Sequence, residues 1–273
     1  MVEHVRHLRP MGVGDILDET IRLYRQNFRT FVAIAAAPLV PLIILQMIQA
    51  AIAGPPLPGQ QMPGRDIFDY GSSIVLGILG LLCYVVIEAA LTQAISERYL
   101  GHQPTVGGAY DVAAACLWRL LRASIRVALL LGLLTVTIVG IPFAIYFGVR
   151  WSLVIQAIVL DGTGPRQALA RSSNLVQGRW WRVLGILVLA TLMQLVAYIP
   201  AGIVGGVLLF GGALVGGGAL YLATILNTAI SGLFQILATP LLLLVATLLY
   251  YDLRVRKEGF DLQLLAEQLN NPA

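Results

Sequence analysis

The length of its apolar runs most limits what this chain can fold into. TFVAIAAAPLVPLIILQMIQAAIA, residues 30–53, carries no charged side chain. About 20 apolar residues in a helix match the roughly 30 Å hydrocarbon thickness of a bilayer. Comparable runs cover about 71–97, 123–139, 141–160, 182–208 and 222–251. Hydrophobic residues make up 58% of the chain and charged ones only 12%, with mean hydropathy +0.82. A soluble domain carries about a quarter charged residues. The expected fold is therefore all-α: a polytopic membrane protein with six transmembrane helices. It forms one integral membrane domain, with an N-terminal helical segment (1–29), a six-span core (30–251) and a C-terminal helix (252–273).

The glycine-rich stretch GGALVGGG (211–218) is expected to separate the fifth span from the sixth. Pro38, Pro41 and Pro240 fall inside spans, where neighbouring helices can satisfy the freed carbonyls. The basic residues set the orientation. Sixteen of the eighteen fall before span one, between spans two and three, between four and five, or after six. Arg65 alone lies in the loops on the other side. By the positive-inside rule both termini face the cytoplasm. The bases adjoin hydrophobic runs, so membrane lipids with anionic headgroups are the expected partners and nucleic acid is not. The N-terminus does not read as a cleavable signal, because its first apolar run starts only near Thr30.

A weak threefold pattern precedes the odd-numbered spans. Residues 13–28, 105–119 and 165–177 each follow a proline (Pro10, Pro104, Pro165) and read as short amphipathic helices. In the first, Val13, Ile16, Ile21, Tyr24 and Phe28 fall roughly on one face, with acids first and bases last. In the third, Pro165 suits the first turn and Gly178 the stop. Arg22, Arg25, Trp118, Arg119, Trp180, Trp181 and Arg182 are expected anchors at the membrane interface. The alternative is that these helices pack on a partner or on one another. The unit reads as interfacial helix, span, span.

Arg150, in AIYFGVRWSL (144–153), is the conspicuous intramembrane charge. Ten residues from the cytoplasmic end of span four place it roughly 15 Å deep, where a charge facing lipid costs several kcal/mol. Glu88, in span two, falls at a similar depth. The two are expected to pair or share a polar pocket, with Gln93 and Gln156 nearby. That pair either fixes the contact of two spans or forms a site for an anionic headgroup or ion; alternatively, Arg150 snorkels. Span six adds a polar stripe, Thr224, Asn227, Thr228, Ser231, Gln235 and Thr239, which bonds across helices or walls a hydrated cavity.

The sequence contains no phosphate-binding loop, no HExxH and no nucleophile elbow. Cys83 and Cys116 have no ligand spacing, and His4 and His7 fall in a tail. No catalytic residue, metal site or cofactor is assigned, and an enzyme is disfavoured. RPMGVGDILDETIRLYRQNFRTF, VLDGTGPRQALARSSNLVQGRWWRVLGI and LLYYDLRVRKEGFDLQLLAEQL together resemble the bacterial membrane-domain family of glycerophosphoryl diester phosphodiesterases, over residues 8–269. YYDLRVRKEGFD (250–261) is the most specific piece. The resemblance implies a multi-helix domain in the bacterial inner membrane, fused in some members to a soluble phosphodiesterase. Only residues 252–273 follow the last expected span, too few for a catalytic barrel, so no catalytic residue is carried over. The leading functional expectation is a non-catalytic module that anchors, assembles or regulates a membrane or cytoplasmic protein partner, or organises lipid. The alternative is a transporter or lipid-handling protein with a polar site at Arg150 and Glu88.

Overall fold

The computed structural model describes residues 10–53 and 65–259. The expected C-terminal helix beyond Gly259, His4 and His7 lie outside them, as does the side chain of Arg65. Among the described residues the regular elements are helices: α1 (Val13–Gln26), α2 (Phe28–Ala53), α3 (Arg65–Tyr99), α4 (Val106–Thr135), α5 (Gly140–Trp151), α6 (Val154–Leu160), α7 (Pro165–Val176), α8 (Trp180–Val215) and α9 (Gly217–Glu258).

The second half of α9 is the hub. Leu243 to Leu253 are buried without interruption. Over its whole length α9 packs against α1, α2, α3, α6, α7 and α8. Toward the other end the helices splay and expose apolar side chains, among them Val207, Phe210 and Leu222. Such surface is unfavourable in water and suits hydrocarbon. We call the packed end, where most of the arginines gather, the base. The α8–α9 turn falls where the glycines predict it: Gly216 and Gly217 take positive φ (76° and 50°), which side-chain-bearing residues adopt poorly. Within this hairpin a Cβ at Gly212 would stand 2.8 Å from the Ala223 Cβ, so the helices approach closely here. Pro38, Pro41, Pro200 and Pro240 lie inside continuous helices.

Five helices are long and apolar enough to cross a membrane: Phe28–Ile52, Tyr70–Tyr99, Gly140–Leu160, Trp180–Val215 and Gly217–Glu258. The expected fourth span is among these, though interrupted at 152–153, and the expected third is not. The amphipathic segment 105–119 and the following span are one continuous helix, α4. From Arg126 to its end at Thr135, α4 rises only roughly 14 Å. The chain then turns at 136–139 into α5. Gly140 closes this turn, because a Cβ there would lie 1.9 Å from the Leu134 carbonyl oxygen. The expected fourth span is broken at Ser152–Leu153, and its second half, α6, is buried in the base. The break has a local cause. The Ser172 hydroxyl on α7 donates to the Arg150 carbonyl at 2.7 Å and accepts from the Leu153 N–H at 3.2 Å, replacing helical bonds. The threefold pattern is therefore met only at α1 and α7, the two short helices that stand apart from the long ones they precede.

Both short helices pack on protein. α7 starts with Pro165 in its first turn and stops before Gly178 (φ 84°), as expected. α1 buries Ile16, Thr20 and Leu23 and leaves Ile21 exposed, as is Phe28 at the start of α2, so its packed stripe is rotated from the face expected in the sequence. Thr20 is accommodated because its hydroxyl donates back to the Ile16 carbonyl.

Candidate functional site

The base contains two linked clusters of charge, both organised by the last two turns of α9. In the first, Asp252 has a fully buried side chain. It accepts from the Met11 N–H at 2.8 Å, from Arg256 Nε at 2.9 and 3.0 Å, and from Arg182 Nη2 at 3.1 Å. Arg182 and Arg256 each also donate to the Met11 carbonyl at 2.6 Å. One carboxylate thus ties the chain before α1, the first turn of α8 and α9 together. Asp252 and Arg256 are four residues apart, which stacks them on one helix face.

In the second cluster, Asp161 ends α6 and faces three groups. The Tyr250 hydroxyl donates to it at 2.6 Å, Arg171 Nε at 2.9 Å, and Arg254 Nη1 stands 3.3 Å away. Arg171 on α7 also grips both oxygens of Glu258 in a bidentate pair. Burial works against the charged Arg171 guanidinium, but the bonds to Glu258 and Asp161 outweigh it and hold its pKa above the ordinary value. Lys257 donates to the carbonyls of Asn174 and Gln177 at the end of α7. The opposite charges are matched and oriented, an arrangement suited to holding helices together. Among the described residues no group of three or more His, Cys, Asp or Glu could hold a metal ion.

Arg150 is elsewhere than the sequence suggests. It lies in the last turn of α5, at the base. Its guanidinium sits over the Tyr146 ring at 5.6 Å and donates to the Tyr146 hydroxyl at 3.4 Å. Tyr146 in turn stacks on Trp180, whose indole N–H donates to the Tyr146 carbonyl. Glu88 instead hydrogen-bonds Tyr84, and the expected Arg150–Glu88 pair is not formed. Gln93 donates to Glu97, and Gln156 is buried on α6 with its Oε1 unpartnered.

The stripe on α9 is divided. Asn227 packs against Gly205 of α8, where a Cβ would come within 2.1 Å of its Oδ1, and Ser231 is exposed. Gln235 and Thr228 line a cleft of about 710 Å³ between α2, α3 and α9, together with Gln46, Gln49, Ser73 and Tyr84. Among the anchors, Arg22 pairs with Glu19, and Arg25, Trp118 and Trp181 are exposed. Arg119 donates to the Gly162 carbonyl, and Arg182 turns inward to Asp252.

Sequence reasoning passed over Asp161, Tyr250, Asp252, Arg254 and Glu258. Their signal was present: acids set four residues from arginines in YYDLRVRKE, and one aspartate just before Pro165. No curated protein and no solved structure matches the chain. A family pattern described as the membrane domain of glycerophosphoryl diester phosphodiesterase matches residues 125–269, which takes in α5 to α9 and both charge clusters. The chain belongs to this membrane-domain family.

Proposed function

We propose that this chain is a non-catalytic membrane module, seated in the bacterial inner membrane with its base toward the cytoplasm, that anchors, assembles or regulates a protein partner. The observation that carries the reading is the pairing of the base charges with one another inside the chain. Asp252, Asp161 and Arg171 all bond to other elements of the same chain. A reaction site keeps an acid, base or cation aimed at a substrate, whereas these groups fix α1, α6, α7, α8 and α9 as one platform. The same-side position of Met11 and Asp252 supports a topology with both termini at the base, and the arginine-rich base supports its cytoplasmic orientation. In that topology α2, α3, α8 and α9 cross the bilayer, and the α4–α5 hairpin enters one leaflet and returns.

The experiment is site-specific photo-crosslinking in native membranes from Ala170, exposed on α7 one turn from the exposed Arg166. It is paired with flux assays of the purified chain in proteoliposomes. The reading expects one discrete protein adduct, lost on Arg166→Glu while the fold persists, and no flux. Solute flux that depends on Gln235 or Tyr84, without a protein adduct, overturns it in favour of transport.

A further inference from the structure

The α2–α3–α9 cleft brings polar side chains together on the apolar part of the bundle. Six hydrogen-bonding side chains line it, Gln46, Gln49, Ser73, Tyr84, Thr228 and Gln235, among apolar neighbours such as Leu39 and Leu42. Some of these groups are satisfied within the protein. The Gln49 amide donates to Ser72 and Ser73, the Thr228 hydroxyl to the Thr224 carbonyl, and Tyr84 bonds Glu88. The side-chain amides of Gln46 and Gln235 have no partner among the described residues. In hydrocarbon, an amide without a hydrogen bond costs several kcal/mol, because no water is present to compensate. Two such amides facing one cleft imply an occupant that supplies donors and acceptors.

The lining also limits the charge of that occupant. Among the described residues no lysine, arginine or histidine borders the cleft, so they offer a phosphate no counter-charge. Amides and hydroxyls suit an uncharged group that both donates and accepts, as sugar hydroxyls do. The Tyr221 hydroxyl, bonded to the Ala51 carbonyl, marks the end of the bundle away from the base. Gln235 lies roughly 21 Å further along α9 by helical rise. The cleft therefore runs alongside acyl chains, and its occupant must itself be amphipathic.

We propose that this cleft binds a lipid with an uncharged, polyhydroxylated headgroup, of the glycosyl-diacylglycerol class, with its hydroxyls bonded to Gln46 and Gln235. The proposal is independent of the scaffold reading, since a scaffold and a transporter could each hold such a lipid.

The test titrates monoglucosyl-diacylglycerol, diacylglycerol and phosphatidylglycerol into the purified full chain in detergent micelles and follows thermal unfolding. The expected result is a saturable rise in Tm with the glycolipid alone. It should need at least tenfold more lipid in Gln235→Leu and in Gln46→Leu, and both variants should be at least as stable as the parent before lipid is added. Equal shifts with phosphatidylglycerol or diacylglycerol, no shift, or an unchanged response in the variants would overturn the proposal. So would a loss of lipid-free stability in both variants, which would mean that protein groups already satisfy the amides.

Discussion

The α4–α5 hairpin gives the architecture its sharpest test. Ile138 at its tip is 88% exposed, with Val136, Val139 and Leu133 beside it. From Arg150, at the base, back to Val139 the helix rises roughly 16 Å, and from Arg126 to Thr135 roughly 14 Å. The hydrocarbon layer is about 30 Å thick, so a hairpin entering from the base ends near the midplane. Aspartate at that depth costs about 2.5–3.5 kcal/mol on the insertion scale, and its short side chain cannot reach a headgroup. If the hairpin spanned the membrane, the same residue would stand in water and change stability by no more than about 0.5 kcal/mol. Ile138→Asp in nanodiscs should therefore lower the unfolding free energy by the larger amount. Ile138→Cys should resist a membrane-impermeant maleimide from both sides until the bilayer is dissolved. An aspartate variant as stable as the parent, together with a cysteine labelled from the side opposite the base, would refute the half-depth hairpin.

Other consequences concern single contacts. Asp252→Ala leaves Arg182, Arg256 and the Met11 N–H without their shared acceptor, and should cost about 3–5 kcal/mol in equilibrium unfolding. Gly140→Val forces a methyl-bearing carbon onto the Leu134 carbonyl and should cost about 1–3 kcal/mol. Spin-label distances across the α4–α5 turn should broaden in that variant. Ser172→Ala removes the hydroxyl that bridges the α5–α6 break and leaves the Leu153 N–H unsatisfied, a loss of about 1–3 kcal/mol measurable by thermal unfolding.

The sequence carried the membrane class, the α8–α9 turn, the limits of α7 and the family, because each rests on local signals: run length, glycine at positive φ, proline in a first turn and a dense terminal motif. The form of spans three and four was not legible because hydropathy records apolarity and not its destination. Residues 154–160 are apolar because they are buried against α3, α4 and α7, which a linear scan cannot distinguish from burial in lipid. The depth expected for Arg150 suffered from the same limit. Placed by counting along an unbroken span it falls at the midplane; once Ser172 breaks the helix it returns to the base and needs only Tyr146. The charge clusters showed only in part, as the four-residue spacings in YYDLRVRKE, and their assembly was hidden for a different reason. Asp161 lies in the connection after the fourth span and Arg171 on the short amphipathic helix 165–177, and only the tertiary fold brings Tyr250, Arg254 and Glu258 to them.

The central claim is that the base charges serve architecture. A double-mutant cycle on Arg171→Gln and Glu258→Gln, measured by unfolding of the full chain in nanodiscs, addresses it most directly. The account predicts that each single variant is destabilised, that the double loses less than the two together, and that the coupling is about 0.5–3 kcal/mol. Additive effects near zero, with a ligand-dependent activity lost in either single variant, would contradict it.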